Sequence, residues 1–535
     1  MVSRSLCYLF AAGLVGIAGH SVFAQNPFET SERPPFADEI FTAAPISLGG
    51  DSFSSAERTK KKSTPTILPT SLEDSSELIT ETTYASVEVP APQSYTEEIS
   101  TTAILDRLAT VEAELYSLRS ETIVSNLEEK LKKPTYSLGG RIHIDHWSFG
   151  QADEGIGWLE HPPTDPMDGG PLPIDGQDPE DRVLFRRVRL ELKGENPANM
   201  FWRFQIDFAK SENSEFKDVY IGWDNLPHNQ KLIVGHQKRP LGLDHWNSSR
   251  FNVFIERPFV VEAHNEDARR LGVGVWGESE DESLFWQYGV YQNENIVTDG
   301  EAVGDDLQVS LNGRLGGSWM SNDEEDWFHW AVAGQISWPD GDAGDGATNS
   351  NEGRFRTRPE ARSDARWLNT GRIDGETHAD TLAAEMMYNR GPLNLTAEAM
   401  FTHVNRSEAS GPEADFYGYY AQASYFLTGD HMNYKRSVGS IDRPSIMENF
   451  DPFSNCNPRY GAWQVAARYS MLDLTDGDIQ GGVGRSMTYS VNWWFSPYAR
   501  IQFNAIRGSI AGHEDVMGFT GGDYTIYGTR YALDF

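Results

Sequence analysis

The stretch that decides the fold runs from Tyr460 to Phe535. It reads as four alternating runs: Ala462–Tyr469 (AWQVAARY), Ser486–Phe495 (SMTYSVNWWF), Tyr498–Ile506 (YARIQFNAI) and Tyr524–Phe535 (YTIYGTRYALDF). Apolar and aromatic residues recur at every second position, the period of a strand and not of a helix. Only the turn Ser496-Pro497 separates the second run from the third, which makes that pair a hairpin. Paired strands that run up to the aromatic Phe535 predict a closed antiparallel barrel, the arrangement that leaves no free edge.

Working outward from this stretch, period two extends back to Tyr136. Strands are expected near 138–147, 182–193, 200–209, 216–224, 231–238, 268–277, 284–291 and 305–316. They continue near 327–338, 379–389, 393–403, 415–425, 461–471, 483–494, 499–507 and 522–535. The reading is all-β: a transmembrane antiparallel β-barrel of about sixteen strands, each close to the length that crosses a bilayer when tilted. Connections alternate in length. Asn196-Pro197, Asn225-Leu226-Pro227, Arg390-Gly391-Pro392 and Ser496-Pro497 are tight, whereas 149–181, 239–267 and 339–378 are long and polar. The 426–460 link is long but falls on the short-turn rim, so it is expected to fold back into the lumen. Alternation assigns faces in Val183–Lys193. Phe185, Arg187, Arg189, Glu191 and Lys193 are expected inside, and Leu184, Arg186, Val188, Leu190 and Leu192 outside. Trp493-Trp494 is expected in an aromatic belt at the membrane interface. A soluble sandwich with one wet face is the competing architecture.

The residues before the barrel change character twice. Residues 1–24 read as a secretory signal, with Arg4, an apolar Leu6–Ala18 and the small-x-small site Val22-Phe23-Ala24. Residues 25–100 are rich in Ser, Thr, Pro and Glu, and are expected to be a disordered tether because they offer too little apolar surface to offset ordering. Over 101–133, Ile104, Leu108, Val111, Leu115 and Leu118 follow the spacing of a coiled-coil seam, and Pro134 ends it. A lone amphipathic helix is the other reading of that segment. The barrel is then assigned 136–535, in the cell outer membrane and surrounded by its lipid. Cys7 falls in the signal, leaving Cys456 as the one thiol of the remaining chain, so no internal disulfide is expected. A formal charge of −34 argues against nucleic acid as a partner.

Several blocks between 138 and 535 resemble the phosphate-selective porin O/P family of bacterial outer membranes. They are Phe185-Arg186-Arg187-Val188-Arg189-Leu190, Val234–Leu243, Ser248-Ser249, Phe254-Ile255-Glu256-Arg257 and Arg269–Gly274. Tyr425–Asp430, Gly461–Ser470, Asn492–Pro497 and Leu533-Asp534-Phe535 complete the series. The resemblance implies a sixteen-stranded barrel, usually a homotrimer, constricted by its third extracellular loop. It also implies an arginine ladder that passes anions inward. The final residues resemble the C-terminal signal read by barrel assembly machinery.

A path for small oxyanions needs cationic donors that replace hydration and then release the ion. Arginine suits this, with a planar fork and a charge that does not titrate. Arg354, Arg356 and Arg358 are two apart, so an extended segment directs them to one side; Arg362 and Arg366 follow. Their place in the 339–378 link resembles the family's ladder, and a solvated basic loop among Glu352, Glu360 and Asp364 remains the other reading. Arg186 and Arg187 match the family's paired arginines, one of Arg269 and Arg270 must face inward, and Lys238 and Arg257 flank the inward loop. The expected function is passive diffusion of small hydrophilic solutes, above all anions such as phosphate. Asp244, Glu256, Glu262, Glu266 and Asp267 in the same loop keep an alternative open. That alternative is a non-selective or weakly cation-selective general porin, which also tethers the outer membrane to the cell wall through residues 25–133. No Gly-x-Ser-x-Gly elbow is present, and no enzyme activity, cofactor or metal is expected. His143, His146 and His264 are read as polar lumen or loop residues.

Overall fold

The computed structural model describes residues 106–119, 134–162, 178–209, 214–266, 268–293, 308–339, 353–454 and 457–535. The signal and tether expected over 1–24 and 25–100 lie outside the described residues. Residues 106–119 are helical, and Leu108, Val111, Leu115 and Leu118 are exposed along this helix.

The strands run β1 Thr135–Ala152, β2 Arg182–Asn196, β3 Met200–Asp207, β4 Glu215–Leu226 and β5 Gln230–Lys238. Next come β6 Arg269–Glu278, β7 Leu284–Gln292, β8 Val309–Met320, β9 Asp326–Trp338, β10 Arg356–Thr357 and β11 Leu368–Asn369. Then follow β12 Glu376–Arg390, β13 Leu393–Arg406, β14 Ala414–Phe426, β15 His431–Lys435 and β16 Ser440–Ser445. The last are β17 Ala462–Asp476, β18 Ile479–Ser496, β19 Ala499–His513 and β20 Gly522–Asp534. Sixteen of them close into one antiparallel barrel, with β10–β11 and β15–β16 as separate two-stranded sheets. The barrel closes between β1 and β20, from Arg141↔Asp534 to Ala152↔Tyr524. Past that seam, Gly140 and Phe535 exchange backbone hydrogen bonds, and a Cβ on Gly140 would collide with the Phe535 ring.

The alternation that decided the fold is inverted relative to a water-soluble core. In β18, Ser486, Thr488, Ser490 and Asn492 are buried in the interior, while Met487, Tyr489 and Val491 are exposed outside. That pattern suits a wall with hydrocarbon outside and a polar lumen. Trp493 stacks on Trp463 at 5.0 Å, and its Nε1 donates to the Tyr460 carbonyl. Trp494 lies on the opposite face and is fully buried inside, so the expected aromatic belt can take only one member of the pair.

Strand β2 departs from its expected faces. His143 pairs with Arg187, but Ile144 pairs with Phe185, so Arg186 is the extra residue of a β-bulge. A bulge breaks period two, and the faces swap across it. Phe185 is therefore exposed, Leu184 packs on the interior cluster, and both Arg186 and Arg187 turn inward. From Arg187 onward the expected assignment holds, with Glu191 buried and Leu190 exposed.

Strands β17 and β18 extend beyond their expected ends and leave only Gly477-Asp478 as their turn. Leu472, Leu474 and Ile479 are buried against residues such as Leu368 and Trp367, so packing on an inserted segment lengthens the hairpin.

Among the described residues, three segments fill the lumen. Residues 239–266 cross it: Leu241, Val260 and Val261 pack with Ala333, Ala383 and Met400, while the Asn252–Glu256 carbonyls reach strands β17 to β20. Residues 353–375 carry Phe355, Ala361, Trp367 and Leu368 into a second apolar cluster. The third is the β15–β16 hairpin, which enters from the short-turn rim, as expected for the 426–460 link. The Val438 carbonyl at its tip accepts from Trp246 Nε1 at 2.7 Å and from Arg314, whose other nitrogen bonds the Gly439 carbonyl at 2.8 Å. Gly439 has φ of 63°, and a Cβ there would collide with the Phe285 ring. Met432, Tyr434 and Ile441 are buried beneath the tip. At about 1.5–3 kcal/mol for each buried large side chain, this docking is strong.

Candidate functional site

Strands β1, β2 and β19 present a wall of arginine to the lumen. Arg141, Arg187 and Arg500 are each 3 % exposed. Arg141 donates to Ser249 Oγ at 2.7 Å, and Arg500 donates to the Asn252 carbonyl at 2.8 Å and lies 4.3 Å from the Trp494 ring centroid. The side-chain contact of Arg187 is His143 Nδ1 at 3.4 Å. None of the three makes a carboxylate ion pair within 4.0 Å among the described residues, although Asp534 lies nearby with Arg250 and Arg443. Arg141 Nε, Arg187 Nε, Arg500 Nη1 and His143 Nε2 are buried without a hydrogen-bond partner.

Register explains why these groups meet. Arg141 and His143 are two apart on β1, and His143 faces Arg187 on β2 and Ala532 on β20. Ala532 in turn faces Arg500 on β19. The small alanine leaves room between the cationic side chains. A buried guanidinium with unfilled donors is costly to maintain unless water or an anion completes it.

Beside this wall, Glu256 clamps the crossing segment. It accepts a two-pronged pair from Arg186 at 2.7 and 3.0 Å, and a further bond from Arg530 at 2.8 Å. Arg530 also grips Asp145, with both bonds at 2.6 Å. Burial disfavours the Glu256 carboxylate, but Arg186 and Arg530 outweigh it and hold it well below the usual carboxylate range. Glu360, from the 353–375 segment, accepts from Arg468, Ser486 and Thr488 at 2.9, 3.0 and 3.0 Å.

The expected ladder residues sit on that segment and face largely toward acids. Arg356 and Arg366 both pair with Glu266, and Arg358 approaches Glu262 at 3.9 Å. Arg354 donates to Asn369 Oδ1 at 2.9 Å. Arg362 makes no hydrogen bond or ion pair among the described residues; repulsion by Arg186, then burial, lowers its pKa to about 10. It thus stands on the 353–375 segment in the field of Arg186.

The remaining expected residues mainly brace the structure. Arg269 grips Asp218 at 2.7 Å, and Arg270 donates to the Asn293 carbonyl. Lys238 donates to the carbonyls of Trp246 and Asn247 at 2.9 and 3.1 Å, holding the start of the crossing segment. Arg257 lies 3.5 Å from Asp244. His264 bonds Thr402 Oγ1 at 2.9 Å.

Sequence reasoning did not select Arg141, Arg500, Arg468 or Arg530. Their alternation was available: in Tyr498–Ile506, Arg500, Gln502 and Asn504 share a face. Nothing local showed that this face would meet Arg141 and Arg187 across the closing seam.

The chain is similar to several known proteins. Porin O of Pseudomonas aeruginosa is 22% identical over 414 residues, covering 69% of this chain and 82% of that protein. An uncharacterized protein of Caulobacter vibrioides is 26% identical over 370 residues, covering 66% of this chain and 68% of its own length. The solved loop-deletion mutant of the Vibrio cholerae outer membrane protein OmpT aligns with a TM-score of 0.45 at 11% identity, covering 75% of this chain and 100% of that one. An anion-selective porin from Comamonas acidovorans aligns at 0.43 and 11%, with the same coverage. The family described as phosphate-selective porin O and P matches residues 172–513. That match takes in all three inward segments and ends with β19, so the chain is an outer-membrane porin and belongs to the family of phosphate-selective porin O and P.

Proposed function

We propose that the chain is a passive channel for small oxyanions, phosphate among them. The observation that carries this reading is the wall of Arg141, Arg187 and Arg500, buried with unfilled donors and, among the described residues, without a carboxylate pair. An entering anion fills those donors in exchange for its hydration shell. Arg362, which makes no ion pair among the described residues, forms the approach. A cleaved signal over 1–24 delivers the chain. The barrels assemble as homotrimers, supported by a coiled coil through the exposed Leu108, Val111, Leu115 and Leu118.

Bilayer conductance in ion-substituted salts tests the channel reading. Anion preference with block by phosphate is expected, and cation preference that persists at high salt overturns it. A second reading, a weakly selective general porin, is favoured by the pairing of Arg356 and Arg366 with Glu266. It predicts equal passage of anions and cations and no phosphate block. The tether of residues 25–133 to the cell wall is a separate proposal. Deleting those residues is expected to weaken envelope attachment and leave conductance unchanged.

A further inference from the structure

A cavity of about 320 Å³ lies beside the 353–375 segment, away from the arginine wall. Its two sides differ in chemistry. The 353–375 segment supplies Arg354, Arg356 and Arg366; the helix Glu154–Glu160 and the β19–β20 end supply Trp158, Leu159 and Val516, with His513 beside them. Trp158 comes from the short helix Glu154–Glu160, which Glu160 ties to the segment by accepting from the Asp364 and Ala365 backbone and from Trp367 Nε1.

The polar side keeps a cationic surplus. Asp364, the lining carboxylate, is gripped by Arg182 from outside the cavity. Glu266 is shared between Arg356 and Arg366, while Arg354 has a neutral partner in Asn369. Burial, then repulsion from Arg356 and Arg372, lowers the Arg354 pKa to about 10. The apolar side holds an unfilled donor: Trp158 is 8 % exposed and its Nε1 has no partner. Arg366 Nε is also unfilled.

A bare inorganic anion could engage the guanidiniums but would leave Trp158, Leu159 and Val516 against water. A ligand with both a charged head and an apolar body uses both sides. The cavity volume falls within the range of small-molecule sites. We infer that this cavity is a subsite for oxyanions that carry an aromatic or aliphatic body, such as aryl phosphates and aromatic carboxylates, and that it prefers them to inorganic phosphate. The inference rests on the lumen being an anion path.

The test uses the full chain in planar bilayers, with phenyl phosphate and inorganic phosphate as probes blocking chloride current. Phenyl phosphate is expected to half-block at about tenfold lower concentration than inorganic phosphate, the range that aromatic and cation–π contacts supply. Trp158→Ala is expected to reduce this preference about fivefold. Trp158→Phe, which keeps the ring and removes Nε1, is expected to retain most of it and serves if the alanine variant fails to assemble. Equal block by the two probes in the natural protein overturns the subsite, as does a preference that survives Trp158→Ala intact. Failure of the anion path itself looks different: neither probe blocks, and the current is carried by cations.

Discussion

Two groups of arginines line this lumen, and they differ in what holds them. Those of the 353–375 segment arrive on one short run, with Glu262 and Glu266 facing them from the neighbouring inward segment. Those of the wall come from β1, β2 and β19, with no carboxylate pair among the described residues. Counting positive charge would rank the run first. Counting unfilled donors ranks the wall first, because a paired guanidinium has already given its field to a neighbour. Available charge, not total charge, sets what a channel can bind.

The largest effect is expected at the wall. Replacing Arg141 and Arg187 together by Gln should raise the half-blocking concentration of phosphate about a hundredfold, since a charge-assisted hydrogen bond is worth about 1.5–3 kcal/mol. Single-channel block measures it. A larger loss on mutating Arg356 and Arg366 would reverse the ranking.

The clamp between the two groups comes next. Glu256→Gln leaves Arg186 with no carboxylate and weakens the hold on Arg530, a loss of about 3–5 kcal/mol for one member of a buried pair. The folded barrel should unfold at lower temperature in heated gel-shift assays, with noisier current as the crossing segment loosens. The sign with pH follows from the depressed carboxyl of Glu256. Its contribution is present above the ordinary carboxylate range and is lost only as pH falls through the lowered value. Melting of the natural protein attributable to this group should therefore be flat from about pH 7 to about pH 5. A sharp loss in that window would contradict the clamp.

Glu266→Gln sharpens the contrast from the other direction by freeing Arg356 and Arg366. Phosphate should then block about three- to tenfold more tightly, as an opposing charge is removed in partly screened surroundings. No change would mean that pairing is not what silences the run. The smallest effect is expected at the outer rim: Asp364→Asn removes its pair to Arg182, and the Asp364 side chain is 69% exposed while Arg182 keeps Glu160 at 3.6 Å. Such exposed pairs contribute less than about 1 kcal/mol, so melting and conductance should scarcely move.

Much of the fold could be read in the chain. Period two from Tyr136 to Phe535 gives the strands, and the alternation of tight and long links gives the two rims. The exceptional length of the 426–460 link indicated its return into the lumen. The candidate site was legible only in part. Arg187 faces inward as its alternation required, but Arg186 also turns in because it is the extra residue of a bulge that breaks the period. Trp494 was grouped with Trp493 by adjacency, although adjacent residues of a strand face opposite sides.

What the sequence alone determined is the barrel, its strands and the side each residue takes along a regular strand. Those properties are local, written in a repeat of two and in turn residues. Tertiary structure decided where the repeat slips, how far β17 and β18 extend, and which arginines keep their donors free. Each of these depends on a partner far away in the chain: Arg187 on β1, Arg186 on Glu256, Arg356 on Glu266. An electrostatic site is defined by distances between charges, and only the closed barrel sets those distances.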